Sequence, residues 1–395
     1  MNPSKDELEH YRADVKRVID AHRPSKDSRE GHRAPIDAES EAELRRWYKT
    51  LYDERILGGG WPEDRGGKPN HSPHFEVIAT EELIRARVPR PIDQVQLASH
   101  VLLTFGTSAQ KDFYLPLIRS SEHIWCQLFS EPGAGSDLAG IRCTATPTSN
   151  GGFRLSGQKT WSTDAHWADM GLALARTSPD RHDGLTAFLV PMSTPGVNVH
   201  PLLTMGGAHE FNEVFLDDIE LDSSAIVGAV GDGWKVAMAG LESERFGVGG
   251  NVVLLEMLLD DAATVAGAVD ANGNSGLQDE LISSQLIDLA SQAEAALAFV
   301  HGHIARESEG RGDNSDAAIG KILYTETYNR IARFGVQLAA DYPTTDSGPA
   351  AMAADRLRDA WLWSRALTIS GGSSEIMRNI IAKQRLHLPS KRAHA

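Results

Sequence analysis

Cysteine is almost absent from this chain: Cys126 and Cys143 are the only two in 395 residues. That scarcity excludes a disulfide framework and a cysteine-rich metal centre, and it fits a reducing compartment. Long apolar runs are missing too. No stretch approaches the roughly eighteen consecutive apolar residues that mark a membrane-spanning helix. The N-terminal stretch MNPSKDELEHYRADVKRV lacks the apolar segment of a secretion signal, so a cytoplasmic location without membrane association is expected. Positive charge is in short supply, with 39 Lys and Arg against 54 Asp and Glu and a net charge of −15. Binding a phosphate backbone needs a local excess of Lys and Arg. Before the tail pair Lys391 and Arg392 no basic run forms a face, so no nucleic-acid partner is expected.

What is present is ordinary for a globular protein: 41% hydrophobic and 24% charged residues. The length suits two or three domains at roughly 100–150 residues each. Three textures divide it. Leu44, Trp47, Tyr48 and Leu51 recur at i, i+3, i+4 and i+7, which predicts an amphipathic helix. A second helix is predicted over 72–87, ending before Pro89 and Pro91, and GGGWPEDRGG between the two reads as a loop. At about Glu122 the pattern changes to short segments rich in β-formers: HIWCQLFSE, FRLSGQKTW, MGLALART, LTAFLVP, VNVHPLL and NEVFLDDIELD. From Gly233 helical periodicity returns, over 237–261, 278–309, 316–341 and 353–367, with 341–349 as a loop. No internal repeat occurs. The pattern predicts an α+β chain with an N-terminal helical domain (1–121), a middle β-barrel or sandwich (122–230) and a C-terminal helical bundle (231–395).

Two local motifs carry chemistry. In Phe129-Ser130-Glu131-Pro132-Gly133-Ala134-Gly135-Ser136-Asp137, a strand ending at Ser130 runs into small residues that let backbone amides approach an anion. Taken alone this is a glycine-rich turn. About thirty residues on comes Lys159-Thr160-Trp161-Ser162-Thr163, expected on a following strand. There an indole can cover a planar ring while two hydroxyls offer hydrogen bonds; the plain alternative for Trp161 is an aromatic packed inside a barrel.

EPGAGSD followed by GQKTWST resembles the acyl-CoA dehydrogenase family, as does a third signature, Gly371-Gly372-Ser373-Ser374-Glu375-Ile376-Met377-Arg378. The resemblance runs nearly the whole length, in the family's helical–β–helical order. It implies FAD between the middle and C-terminal domains. By the match Gln127, Phe129 and Ser130 line the flavin, and Ser136 lies toward the pyrophosphate or the substrate's pantetheine. Trp161, Ser162 and Thr163 sit at the ring, with Thr163 near N5, and Ser373, Ser374 and Glu375 reach the cofactor from the C-terminal domain. No metal is implied. His301 and His303 are two apart and diverge on a helix.

The family's reaction removes the α-proton of an acyl-CoA thioester while hydride leaves the β carbon, so a carboxylate must reach the α carbon. Many members carry that Glu where this chain has Gly371. Members resembling isovaleryl-CoA dehydrogenase place it earlier, just before an Arg, and Glu244-Arg245 matches that position. The resemblance thus implies Glu244 as base and Arg245 with Ser136 at the substrate. Glu242 stands about 200° away round the helix. Glycine at 371 keeps the backbone N–H that, in the family, helps polarise the thioester carbonyl.

Two departures concern assembly. Residues 267–285 contain no Arg, and Gln337 is followed by Leu338-Ala339-Ala340 where members carry paired glycines reaching a neighbouring subunit's FAD. Actinobacterial relatives include mixed tetramers, and this chain resembles their base-bearing subunit. The resemblance leaves open a homotetramer or a heterotetramer with a second acyl-CoA dehydrogenase-like chain. It also leaves three roles open: a dehydrogenase passing electrons to electron-transferring flavoprotein, a non-catalytic partner subunit, and an oxygen-using acyl-CoA oxidase relative.

Overall fold

The computed structural model describes residues 3–24, 35, 37–90, 93–269, 273–342 and 348–389. In chain order its helices and strands are α1 (Lys5–His22), α2 (Ala38–Asp53), α3 (Pro73–Arg85), α4 (Asp93–Phe105) and α5 (Ser108–Arg119). Then come β1 (Trp125–Leu128), β2 (Thr144–Pro147), β3 (Phe153–Lys159), β4 (Met170–Arg176), β5 (Leu185–Pro191), β6 (Val197–Leu202), β7 (Phe211–Leu221) and β8 (Ile226–Val227). Helices follow again: α6 (Gly233–Asn251), α7 (Val253–Gly267), α8 (Glu280–Ser308), α9 (Asn314–Asp341), α10 (Pro349–Leu367) and α11 (Ser374–Ile380). Two compact units emerge: residues 1–9, 72–85 and 245–395 form the first, and 10–71 and 86–244 the second.

In the second unit, α2 buries the stripe read from the sequence: Leu44, Trp47, Tyr48 and Leu51 all face inward. Its start is fixed by a capping box in which Asp37 and Ser40 bond each other's backbone N–H. The indole N–H of Trp47 donates to the carbonyl of Pro89, and the Tyr48 hydroxyl to that of Arg90, so the proline segment after α3 is laid along α2.

The strands form one eight-stranded sheet in the order β6-β7-β3-β2-β4-β5-β8, with β1 parallel to β4. Two halves of this sheet meet through a single residue pair, Thr144 of β2 beside Arg176 of β4. Leu155, Val214 and Leu216 from one half share a core with Leu128, Ala173 and Phe188 from the other. That is the sandwich-like middle region the strand pattern predicts. β4 and β5 are apolar along nearly their whole length because both faces are covered. On the face away from the shared core, Tyr114 of α5 packs edge-on against Trp125 of β1 at 5.4 Å.

The first unit is helical. Residues of α7, α8, α9 and α10, from Val252 to Ala360, build one core. Buried Asp261 on α7 accepts two hydrogen bonds from Arg356 on α10.

Two expectations are corrected, and two short strands carried no sequence signal. The span 237–261 is two helices, because the chain breaks at Val252 between α6 and α7; Gly249-Gly250-Asn251 just before it was the available breaker signal, overridden by the apolar pattern that reads straight through. β1 ends at Leu128 rather than Ser130, since Glu131 and Ala134 close a tight reciprocal turn of their own. β2 and β8 went unread because four and two residues leave too little alternation to see.

Candidate functional site

The first two motifs come together in the second unit. The Thr160 N–H donates to the Ser130 carbonyl at 3.0 Å. One step earlier, the fully buried Lys159 sends its Nζ to the Phe129 carbonyl (3.2 Å) and to Glu131 Oε1 (2.8 Å). Glu131 is also buried, and its carboxylate accepts the backbone N–H groups of Arg142 (2.6 Å) and Cys143 (2.9 Å). A buried charge is tolerated when it is paired and its lone pairs are filled, and both conditions hold here. Glu131 and Lys159 stand inside the two motifs, and nothing in either motif marks them as partners. A Glu in a glycine-rich turn and a Lys ending a β-strand were the available signals.

Beyond Lys159 the chain is no longer strand. This corrects the expectation for residues 160–163, and the reason is Trp161, whose φ of +59° is left-handed. For a bulky side chain that conformation costs roughly 1–2 kcal/mol, and strain of this kind gathers at functional sites. The turn throws the indole outward. Trp161 is 63% exposed, its edge set against Phe211 at 5.8 Å, so it is not an aromatic packed in the β core. Ser162 turns the other way: it is buried, its N–H bonds the Asn212 carbonyl at 3.0 Å, and its hydroxyl has no partner among the described residues. Thr163 is half-buried, as are Gln127 and Ser130, whereas Phe129 is buried and Ser136 exposed. Asp137, closing the first motif, is ion-paired with Arg181.

In the loop from Pro132 to Ser136, every residue but the buried Ala134 is exposed. A Cβ added at Gly133 or Gly135 would meet nothing within 4 Å. An exposed aromatic face beside an uncrowded, amide-rich loop fits a large planar cofactor carrying phosphates.

The third motif belongs to the first unit. Gly371 and Gly372 take φ of +60° and +95°, and a Cβ on Gly372 would strike Met377 Cε at 2.4 Å. Ser373 caps α11, accepting the Ile376 N–H at 3.4 Å, and Ser374 is buried with its N–H on the Thr368 carbonyl. The exposed Glu375 carboxyl is held below the usual range, first by its own backbone N–H and then by the Ser373 hydroxyl, with Arg378 and Lys321 adding less. Glu244 and Arg245 fall on α6; their side chains lie outside the described residues, as does that of Glu242. His301 meets Glu81 at 2.8 Å, and His303 is 3.9 Å from Asp316, so the two histidines address different acids. Among the described residues no helix is long and apolar enough to cross a membrane.

Comparison with known proteins gives three family-model matches: the acyl-CoA dehydrogenase N-terminal domain over residues 5–122, the middle domain over 126–219 and the C-terminal domain over 231–386. The chain is 36% identical over 360 residues to the acyl-CoA dehydrogenase IpdE1 of Mycobacterium tuberculosis, covering 88% of each protein. Among solved structures it resembles the Tcur3481–Tcur3483 steroid ACAD, at 25% identity and a TM-score of 0.86 over 99% of this chain and 100% of that one. The ChsE4–ChsE5 complex from Mycobacterium tuberculosis shares the fold, at 24% identity and a TM-score of 0.83 over 99% of both chains. Proteins of this kind are FAD flavoenzymes of lipid and steroid catabolism. With family models matched from residue 5 to residue 386, this chain belongs to the acyl-CoA dehydrogenase family.

Proposed function

We propose that this chain is the base-bearing subunit of a heteromeric acyl-CoA dehydrogenase that introduces an α,β double bond into an acyl-CoA thioester. The observation that carries the reading is the turn at Trp161. A strained, outward-facing indole is held beside the open Gly133–Gly135 loop by the buried Lys159–Glu131 pair. Such a turn gives the fold alone no advantage, and a flat cofactor gives it one. Trp161 would cover the flavin ring, with Thr163 and the backbone of 127–131 bonding its edge. Ser136 and the amides of Gly133, Gly135 and Ser136 would meet phosphate or pantetheine, since the Ala134 N–H is taken by the Glu131 carbonyl, and Ser373–Glu375 would hold the cofactor from the C-terminal domain.

Glu244 takes the α-proton, Arg245 assists at the substrate, and the Gly371 N–H donates to the thioester carbonyl as negative charge grows there. Bound FAD supplies the acceptor for the hydride leaving the β carbon. Electrons then pass to an electron-transferring flavoprotein. The mixed assembly is supported by the missing arginine in 267–285 and by Leu338, which turns into the helical core rather than outward. Steroid-derived thioesters are the first substrates to try, given the resemblance to a steroid acyl-CoA dehydrogenase.

The test is co-expression with a second acyl-CoA dehydrogenase-like chain, followed by flavin stoichiometry and turnover. One FAD per pair of chains is expected, and a flavin-replete homotetramer would refute the mixed assembly. Glu244→Gln should retain flavin yet lose at least about a hundredfold in turnover, while Glu242→Gln changes little. Equal activity in Glu244→Gln and the parent would remove Glu244 as base.

A further inference from the structure

Lys321 of α9 is a buried lysine that the reaction just described does not use. It is 4% exposed, and its ammonium donates to two backbone carbonyls, Ser370 at 2.7 Å and, at still closer range, Gly372. These carbonyls flank Gly371. A trans peptide is planar, so its C=O and the following N–H point in opposite directions. Drawing the Ser370 carbonyl onto Lys321 therefore turns the Gly371 N–H away from Lys321, and holding the Gly372 carbonyl does the same for the Ser373 N–H.

The rest of the loop is set by separate contacts. The Ile369 and Ser370 N–H groups cap α10 on the Ala366 carbonyl, and the Ser374 N–H bonds the Thr368 carbonyl. None of these fixes the plane of the Ser370–Gly371 peptide, which carries the Gly371 N–H. Glycine at φ of +60° and +95° is the residue least able to hold a plane unaided, because many orientations are open to it. A lysine costs desolvation when buried; two carbonyl acceptors offset part of that cost, and the bond to Ser370 gives the Ser370–Gly371 peptide one direction.

We infer that Lys321 is the positioning residue for the backbone donor at Gly371, setting the direction of the N–H that polarises the thioester carbonyl. The inference rests on the dehydrogenase reading, because that reading makes the Gly371 N–H a donor to substrate. Lys321 touches neither substrate nor cofactor in this account; it acts through the peptide.

The experiment uses the flavin-loaded complex and Lys321→Met, which keeps the stem and removes the donors. The probe is a substrate analogue with sulfur in place of the β carbon, which can lose its α-proton but cannot be oxidised. The midpoint pH of its deprotonation on the enzyme reports how well the carbonyl is polarised. In Lys321→Met that midpoint should rise by about one to two pH units, and kcat should fall about tenfold to a hundredfold with KM changed far less. FAD content should stay at the parent level. Lys321→Gln, with a donor on a shorter stem, should fall between; it also serves as the test variant should Lys321→Met fail to assemble. A parent-like midpoint in the tested variant, with only a lower melting temperature, would overturn the positioning role. A parent complex that binds FAD but oxidises no acyl-CoA would instead sink the dehydrogenase reading.

Discussion

The chain has two glycine-bearing loops of functional interest, and they use glycine for opposite reasons. At Gly371 and Gly372 the backbone is left-handed, and a Cβ at Gly372 would also have to push aside the end of the Met377 side chain. Those glycines serve the chain's own path. At Gly133 and Gly135 the surroundings are empty and neither φ is left-handed. Nothing in the second unit demands glycine there, so the small residues serve whatever lies above them. A buried lysine anchors each loop, yet the anchors differ: Lys159 meets a carboxylate as well as a carbonyl, and Lys321 binds two peptide carbonyls. The first is a bolt between two motifs, and the second a handle on one peptide.

The largest expected effect tests the bolt. Lys159→Met leaves Glu131 buried without its cation and should cost about 3–5 kcal/mol in denaturant unfolding of the complex. Adding Glu131→Gln should recover part of that loss. If Lys159→Met unfolds like the parent, the pair is not what joins the motifs.

Gly371→Ala comes next, with about 1–2 kcal/mol expected from the left-handed backbone alone. Smaller still, Gly133→Ala and Gly135→Ala should leave stability within about 0.5 kcal/mol while lowering FAD occupancy of the purified complex. If they destabilise as much as Gly371→Ala, the contrast between the loops collapses.

Acid asks whether both units weaken together. Burial holds His123 in the second unit, and His74 and His303 in the first, below the usual histidine range; at His303 it outweighs the pull of Glu307 and Asp316. The unfolded chain binds these protons more readily, so stability is complete above about pH 6.5 and is lost as pH falls through the depressed values. Melting temperature should be nearly level above about pH 6.5 and drop as pH falls below it, and His303→Asn should flatten part of that slope. A flat profile would remove burial as the dominant influence.

Much of the fold was legible because periodicity reports burial directly. The stripe of α2 and the six strand segments from HIWCQLFSE onward are local patterns; the structure makes strands of all six and buries α2's stripe and most of β4 and β5, while β6 stays partly exposed. The short strands and the break at Val252 carried no such pattern. At the site, sequence pointed to the motifs but not to what joins them. Lys159 meets Glu131 across 28 residues, and Lys321 meets Ser370 across 49. No local propensity announces either contact, nor a tryptophan in a left-handed turn. Glu244 rests on register in a family pattern, and that kind of information is independent of physics along the chain.

The first unit is assembled from pieces far apart in the chain, and this bears on how the protein is made. Helix α3 sets Val77 against Gly249 and Ile304, and Glu81 against His301, 220 residues downstream. On a ribosome adding roughly 5–20 residues per second, α3 emerges on the order of ten to forty seconds before the helix that will cover it. Val77, buried in the finished protein, must pass that interval without the helices bearing Gly249 and Ile304. The second unit, complete by Glu244, can settle during synthesis while α3 still waits for its own unit. Chaperone demand should therefore fall on this one early helix, and yields in a foreign host should respond more to slower growth or holdase co-expression than to changes in the β region.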